Sequence, residues 1–420
     1  MTVGIVGGGI TGLALTHYLA EAGVDSVTIE TDSEPGGVIR SDRVDGHLLE
    51  YGPQRMRLSP TVRSLVEAVN LTDELLAVPE DLPLYVYRDG ALRRVPFSLS
   101  AFVRTDLLSW RGKLRLLGEP LTAAADPEET VEALFTRKFG REAYANLVGP
   151  LLGGIYGSDP AEMPVEYSLA PLLRIEEKHG SLLTTALQRL RDGSDRPPAV
   201  SFDDGLQRLP EALYATHADR IRLDTPVTTV REAGDGYDLV TPGETYRVDA
   251  VVVTARADVA AELLDGVGDH VDALRELRYN PLAMVYLESD ADVEGMGYQI
   301  RHDEPFETLG VSWNASMFDR DGVFTCFLGG MHDPDLVTEP PEKLGEIAVR
   351  EFEEIVGHYA EVIDVQRLPD GFPAHDHSWA TLERVSLPED VHLLTNYTAR
   401  MGVPSRIREA KRTAERFAAE

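Results

Sequence analysis

Apolar positions along the chain follow two regimes. Residues 3–6 make a short continuous apolar run, 10–22 repeat apolar positions at helical spacing up to Gly23, and 26–30, alternating polar with apolar, read as a second short strand. A strand, helix, strand succession of this length predicts a βαβ unit. Further strands are expected at 84–87, 220–223, 227–231, 237–240, 250–254, 283–287, 311–314 and 324–328, several with helices between them, which suits α/β lobes. Between residues 97 and 195 the pattern changes to helices, such as 130–139 and 181–191, with no convincing strand. Residues 192–198, DGSDRPP, have the composition of an exposed linker closing this helical insertion. There is no internal repeat and no low-complexity tract.

The first strand leads straight into Gly7, Gly9 and Gly12, a GxGxxG pattern at a helix start. The first glycine permits a tight turn, the second lets a pyrophosphate approach the backbone, and the third lets helix and strand pack closely. Ile10 and Thr11 open the helix, whose free N–H groups and positive end suit phosphate. Glu30, 18 residues beyond Gly12, stands where a carboxylate accepts both ribose hydroxyls of an adenosine and repels a 2′-phosphate. The plainer alternative for Glu30 is an exposed strand-end acid. From this unit alone FAD and NAD both remain open.

The following segments, Gly36-Gly37-Val38-Ile39-Arg40-Ser41 and Glu50-Tyr51-Gly52-Pro53, resemble the FAD family of amine oxidases, phytoene desaturases and protoporphyrinogen oxidases. The resemblance implies FAD as cofactor, with Gly36, Gly37, Gly52 and Pro53 continuing its site and Arg40 near the phosphates. Segments resembling the protoporphyrinogen or coproporphyrinogen oxidases run in family order over nearly the whole chain: Tyr87-Arg88-Asp89-Gly90 with Pro96, the stretch Gly149 to Pro160 (GPLLGGIYGSDP), Gly205 to Pro210 (GLQRLP), Ser316-Met317-Phe318 with Arg320, and Phe327-Leu328-Gly329-Gly330. Taken singly, Gly153, Gly154 and Gly157 also read as loop glycines. Val227, expected to open a strand after Pro226, is where the family would contact adenine; its alternative is a core valine. Asn396 to Pro404 (NYTARMGVP) resembles the family's closing FAD motif, in which Asn396, Gly402 and Val403 lead into a helix whose start meets the flavin. Thr395 and Arg400 depart from it, standing where the family has glycines, and the stretch around Trp379 lacks the usual Pro-Gln-Tyr and Gly-His.

The fold class expected is therefore α/β: a Rossmann-type FAD-binding domain (1–58, 199–260 and 379–420), a mixed-sheet substrate domain (59–96 and 261–378), and a mostly α-helical insertion (97–198). A length of 420 residues suits such a multi-lobed chain.

Charge changes the picture of the surroundings. Acidic residues number 71 against 40 basic, a formal net charge of -31, and only five of the basic residues are lysines. Such a surface repels nucleic acid and anionic lipid and points to a high-salt cytoplasm, where molar salt shrinks the Debye length to about 3 Å and screens self-repulsion. Cys326, the sole cysteine, excludes an intramolecular disulfide and a cysteine zinc cluster, and its apolar strand suggests a core position. Met1 runs directly into an apolar strand without a basic segment, so neither a signal peptide nor a membrane span is expected, and the location expected is cytoplasmic. His375 and His377 flank Asp376 without a placed third ligand, so no metal is assigned. GxSxG and HExxH are absent from the sequence.

The resemblance implies oxidation of a porphyrinogen-type tetrapyrrole in haem synthesis, hydride passing to flavin and oxygen or another acceptor reoxidising it. No side chain is assigned as an obligatory acid or base. Arg57 enters the loop where some family members place a substrate-binding arginine, and its guanidinium suits a porphyrinogen carboxylate. The alternatives are an amine oxidase or isoprenoid desaturase of the same family, or a flavin-bearing scaffold with little catalysis. Family relatives often rest on a bilayer through the helical lobe; here its basic cluster is Arg104, Arg111, Lys113 and Arg115, which reads equally as a solvated face. Peripheral membrane contact and oligomeric state are left open.

Overall fold

The computed structural model describes residues 1–191, 197–320, 322–398 and 401–419. Most of the expected linker, residues 192–196, and Arg400 thus lie outside the described residues. The chain forms two compact units, one of Met1–Val78, Pro197–Leu277 and Trp379–Glu420, the other of Pro79–Arg196 and Arg278–Ser378.

In the first unit β1 (Thr2–Val6) runs at the centre of a five-stranded sheet, followed by helix α1 (Ile10–Glu21) and β2 (Asp25–Ile29). β1 pairs in parallel with β2 on one side (Ile5 beside Thr28) and with Ala250–Val253 on the other (Ile5 beside Val252). Ile221–Arg222 and Val391–Leu393 form the two edges. A sheet covered on both faces needs strands that are apolar throughout. Val3, Ile5, Val251 and Val252 meet that need and are fully buried. The C-terminal helix, Val403–Phe417, packs its Ile407, Ala410 and Ala414 into the same core cluster as Leu13, Ala14 and Leu15 of α1. Alanines on both helices allow the close approach. Residues 62–71, from helix Pro60–Ala68 onward, also contribute to this cluster.

Two hairpins turn on Asp-Gly pairs, Asp45-Gly46 between Ser41–Val44 and His47–Glu50 and Asp89-Gly90 between Leu84–Arg88 and Ala91–Arg94, with positive φ at both central residues. That is the turn whose twist matches a hairpin.

The strand expected at 227–231 begins instead at Thr229. Asp224, at φ 51, bends the chain, and Asp224 and Thr225 spend their N–H groups on the carbonyls of Asp32 and Glu30, so pairing resumes only when Thr228 N–H reaches Val240 O at 2.8 Å. Val227 is a half-buried loop residue.

The second unit is built on a seven-stranded mixed sheet, in the order Glu361–Pro373, Tyr279–Glu288, Val323–Gly329, Thr308–Trp313, Gly297–Ile300, Leu84–Arg88 and Ala91–Arg94. Glu361–Pro373, a strand of 13 residues, was not evident from its LPDGFP ending, which reads as a turn. It lies at the sheet edge, where a strand proline is tolerated, and its pairing with Tyr279–Glu288 slips between Asn280 and Leu282. Helix Pro341–Val356 buries Leu344, Ile347, Ala348 and Phe352 in the core cluster of this unit.

The described residues between 97 and 191 contain no strand. Gly153 and Gly154 lie inside helix Gly149–Tyr156, and Gly157 caps its end at φ 53, so they are not loop glycines. A Cβ on Gly153 would come within 2.4 Å of the His302 ring, and one on Gly154 within 1.6 Å of the Gln299 amide. Glycine is what lets this helix lie against strand Gly297–Ile300. Gly157 also accepts a hydrogen bond from Met331 N–H at 2.8 Å, which joins this family-like segment to the one ending in Gly330.

Candidate functional site

The site grows from the turn between β1 and α1. Gly7 sits at φ 112, and a Cβ there would lie 2.3 Å from the Thr254 hydroxyl; a Cβ on Gly12 would lie 2.0 Å from the Gly7 carbonyl oxygen. Both glycines are demanded by the protein's own packing. Gly9 differs, because its φ of -69° suits any residue and the nearest atom to a Cβ, the Gly36 carbonyl oxygen, is 3.9 Å away. Packing leaves open the space over Gly9, the cradle that a pyrophosphate would need and a side chain would fill.

Gly9 is also the N-cap of α1 and supplies no side-chain cap, and the first turn holds no acidic residue. The leading N–H groups of a 12-residue helix are thereby left for an anion. Ile10 and Thr11, at the first helical positions, are buried.

Glu30 follows directly on β2 and is half-buried. Its Oε2 accepts from Gly8 N–H and its Oε1 from Asp32 N–H at 2.9 Å, so the carboxylate braces the glycine turn. It is therefore more than an exposed strand-end acid. A carboxylate offers about four acceptor positions, and two remain for hydroxyl donors.

Gly36 closes on the turn by donating its N–H to Gly8 O at 2.9 Å and bridging to Gly9, while a Cβ on Gly37, at φ 60, would meet Gly9 Cα at 3.4 Å. The chain continues through Arg40, exposed, whose carbonyl accepts from Tyr51 N–H at 2.8 Å. A Cβ on Gly52 would lie 1.9 Å from the Val38 carbonyl oxygen, so Gly52 and the half-buried Pro53 lock this loop onto residues 36–40. Val227 follows the turn that Thr225 pins to the Glu30 carbonyl at 2.8 Å.

At the other end of the chain Gly402, at φ 107, is the N-cap of the 15-residue C-terminal helix, again without a side-chain cap, and no atom lies within 4 Å of where its Cβ would be. Val403, the first helical residue, is buried and Asn396 half-buried in the preceding turn. Thr395, in place of a family glycine, is buried; its N–H donates to Thr398 Oγ1 at 3.0 Å, and its carbonyl accepts from the guanidinium of the buried Arg406. Burial lowers the Arg406 guanidinium pKa from its ordinary value, although Glu409 opposes this.

Arg57 stands apart from the glycine turn. It is exposed on the short strand Met56–Arg57, which pairs with Ala199–Phe202, and its guanidinium donates to the Pro197 carbonyl at 3.1 Å. The buried carboxylate of Glu50 escaped the sequence reading as a working group, although its segment was singled out. It accepts from Ser41 Oγ at 2.6 Å, Ser201 Oγ at 3.2 Å and Leu206 N–H at 3.1 Å, tying together three strands of sequence that flank the cradle. Thr254, which donates to Val6 O at 3.0 Å and Gly7 O at 3.2 Å, was likewise missed. A threonine ending an apolar strand gives no signal of its own.

His375, Asp376 and His377 bring no third ligand with them, and no group of three or more potential ligands occurs among the described residues. Cys326 is buried and its thiol pKa is pushed far up by desolvation, as befits a core residue.

Comparison with known proteins agrees with this geometry. The profile of the family described as flavin containing amine oxidoreductase matches residues 10–412. Among curated relatives, protoporphyrinogen oxidase 1 of spinach chloroplasts is 27% identical over 84% of this chain and 70% of its own. Coproporphyrinogen III oxidase of Staphylococcus aureus is 26% identical over 89% of this chain and 88% of its own. A crystal structure of a protein from Exiguobacterium sp. 255-15, provisionally named a protoporphyrinogen oxidase, superposes with a TM-score of 0.82 at 23% identity, covering 100% of this chain and 98% of that one.

Proposed function

The chain belongs to the family of flavin containing amine oxidoreductases, and from that premise we propose that it oxidises a porphyrinogen-type tetrapyrrole, with oxygen or another acceptor taking up the electrons. It is an FAD-dependent oxidoreductase, a statement that rests on the family and on the flavoenzyme relatives. The single observation that carries the finer reading is that both curated relatives described above, one chloroplast and one bacterial, are porphyrinogen oxidases aligned over at least 70% of their length.

When bound, FAD supplies the hydride acceptor. The chain's own work is to hold and orient. In this reading the open backbone at Gly9, with Gly7, Ile10, Thr11 and Gly12, receives the pyrophosphate, and Gly36, Gly37, Arg40, Gly52 and Pro53 extend that site. The spare acceptor positions of Glu30 serve the ribose hydroxyls. Val227 is assigned to the adenine, and Asn396, Gly402 and Val403 to the flavin end. Arg57 is the candidate anchor for a substrate carboxylate, its exposure on the edge of a short strand being what supports that role.

The test is anaerobic titration of the flavin-loaded protein with porphyrinogens, amines and isoprenoid precursors. Bleaching of the flavin by porphyrinogens supports the reading. Bleaching by amines or isoprenoids instead, or by nothing offered, replaces it with a related oxidase or with a scaffold. Arg57→Ala should raise KM for a carboxylated porphyrinogen at unchanged FAD content, and much less so for its ester.

A further inference from the structure

Two histidines leave the same end of the second unit's sheet. His302 lies two residues beyond strand Gly297–Ile300 and His332 three beyond Val323–Gly329, strands that run in the same direction because each pairs antiparallel with Thr308–Trp313 between them. Their rings stack with centroids 4.3 Å apart and planes tilted by 33°. Helix Gly149–Tyr156 and its exit hold both. The His302 ring rests on Gly153, where a Cβ would come within 2.4 Å of it, and its Nε2 lies 3.2 Å from the Gly149 carbonyl oxygen. His332 follows Met331, whose N–H donates to the Gly157 carbonyl at 2.8 Å and whose sulfur accepts from Asp159 N–H at 3.2 Å. The pair thus sits where two family-like segments, residues 149–160 and 327–330, meet.

The Gly149 contact fixes the tautomer. A carbonyl oxygen only accepts, so Nε2 carries the proton and Nδ1 of the neutral ring is a bare acceptor. The ring is also kept neutral against its surroundings. On a chain of net charge -31 the field favours an imidazolium, and Asp159 and Asp303 each raise the His302 pKa, as does the Gly149 carbonyl. It is nevertheless lowered from 6.5, by desolvation first and by the charge of His332 second. Asp303 is spent on the guanidinium of Arg301, and Asp159 accepts from Ala161 N–H at 2.9 Å. Both imidazoles remain exposed, so solvent and a bound molecule reach them. An exposed ring is desolvated only where neighbouring atoms rise around it, as they do beside this helix. A histidine that served packing alone would be buried, and a plain surface histidine in this field would have a raised pKa.

We propose that His302 is the general base of the reaction, its Nδ1 taking the proton from a pyrrole N–H of the substrate while His332 positions its ring. This rests on the porphyrinogen reading above. Oxidising a saturated carbon that bridges two pyrroles removes two electrons and two protons. The C–H bond of that carbon breaks, and its hydrogen leaves with the electron pair as hydride to the cofactor. The N–H bond breaks too; its proton goes to His302 Nδ1, and the pair left on nitrogen forms a C=N bond as the ring double bonds shift toward the bridging carbon. The imidazolium then loses that proton to solvent, while Nε2–H stays on the Gly149 carbonyl throughout. A base that is bare near neutral pH suits the step, because the pyrrole N–H becomes acidic only as the carbon gives up hydride.

The test is the rate of anaerobic flavin bleaching by a porphyrinogen across pH, in the flavin-loaded protein and in its variants His302→Gln and His332→Gln, with FAD content and melting temperature as folding controls. The unaltered protein should slow with acid, with an apparent pKa below 6.5. His302→Gln should bleach on the order of a hundredfold more slowly at saturating porphyrinogen, with half-saturation little changed and the acid limb gone. His332→Gln should keep the limb and move it to higher pH, because a charge that lowers the His302 pKa is removed; a merely structural role moves no limb. Spectra of the protein labelled with heavy nitrogen at its histidines give a readout independent of turnover, and should show His302 protonated on Nε2 and bare on Nδ1 in mildly alkaline buffer. The opposite tautomer, or a His302→Gln variant with the rate and pH profile of the unaltered protein, overturns the proposal. Failure of every porphyrinogen to bleach the unaltered protein removes the substrate reading and this assignment together, so the two failures are told apart.

Discussion

Carboxylates around the glycine turn of the first unit and in the helical stretch of the second are satisfied in different ways. In the dinucleotide-type unit Glu30 and Glu50 are held by N–H and hydroxyl donors, from Gly8 and Asp32 on the one and Ser41, Ser201 and Leu206 on the other. In the helical part of the second unit Glu119 and Glu176 share a lysine. Lys138 lies fully buried, its Nζ bonded to Glu176, 3.7 Å from Glu119 and 3.0 Å from the Ala123 carbonyl. Glu119 in turn accepts from Ser181 Oγ at 2.5 Å and from the N–H groups of Leu182 and Leu183, both at 3.2 Å, which caps the helix Leu182–Arg191. Neutral donors keep a carboxylate's charge available to a neighbour or ligand; a buried ammonium cancels it. The first arrangement suits a site and the second suits a scaffold.

The largest test of that contrast removes the lysine. Lys138→Met leaves two buried carboxylates sharing no cation, and breaking a buried pair from one side costs about 3 to 5 kcal/mol. Thermal or denaturant unfolding should show a loss of that order, with FAD affinity little changed in protein that remains folded. A loss below about 1 kcal/mol would mean that the neutral donors alone, the Ser181 hydroxyl and the backbone N–H groups, satisfy Glu119 and Glu176.

The same contrast explains what could be read in advance. The βαβ start was legible because three constraints coincide in thirty residues: an apolar first strand, glycines where a Cβ would strike Thr254 or the Gly7 carbonyl, and an acid at the end of the second strand. The helical character of residues 97–191 was legible too, from spacing alone. The buried Lys138 pairings were not, since a lysine in a helix with acids 19 residues before and 38 after it looks like any surface charge. Arg406 was hidden for the same reason, in a C-terminal helix rich in arginine.

A middle-sized test asks whether Glu30 still has acceptor capacity to spare. Glu30→Ala should weaken FAD binding by about 1 to 3 kcal/mol, the range for losing charge-assisted hydrogen bonds. Because Gly8 and Asp32 also lose their acceptor, FAD-free protein should be destabilised as well, and Glu30→Gln, which keeps one acceptor oxygen, should recover part of both. Titration showing unchanged FAD affinity in the alanine variant would leave Glu30 as a brace for the glycine turn and nothing more.

The smallest effect concerns a neutral pair at the back of the same unit. His17 of α1 is buried, with its Nδ1 3.0 Å from Nε2 of His217, so a hydrogen bond between them requires at least one ring to carry a bare nitrogen. Burial depresses both imidazole pKa values below the ordinary 6.5, most strongly among the causes acting on each; Glu21 pulls both back up, Asp219 raises and Arg220 further lowers that of His217. Well above pH 6.5 both rings are neutral whether the chain is folded or not, and the pair adds no pH dependence. As pH falls below that value the unfolded chain takes up protons that the folded pair resists, so stability must drop with acid. The expected loss attributable to the pair is on the order of 1 kcal/mol between pH 7 and pH 5, a fraction of the limiting slope of about 1.4 kcal/mol per pH unit for each histidine. Measured against His17→Gln with His217→Gln in the same salt, the unaltered protein should lose more stability over that interval. Parallel pH profiles for the two would show that the pair takes up protons alike in the folded and unfolded chains, with Glu21, 3.6 Å from the His17 ring, offsetting burial.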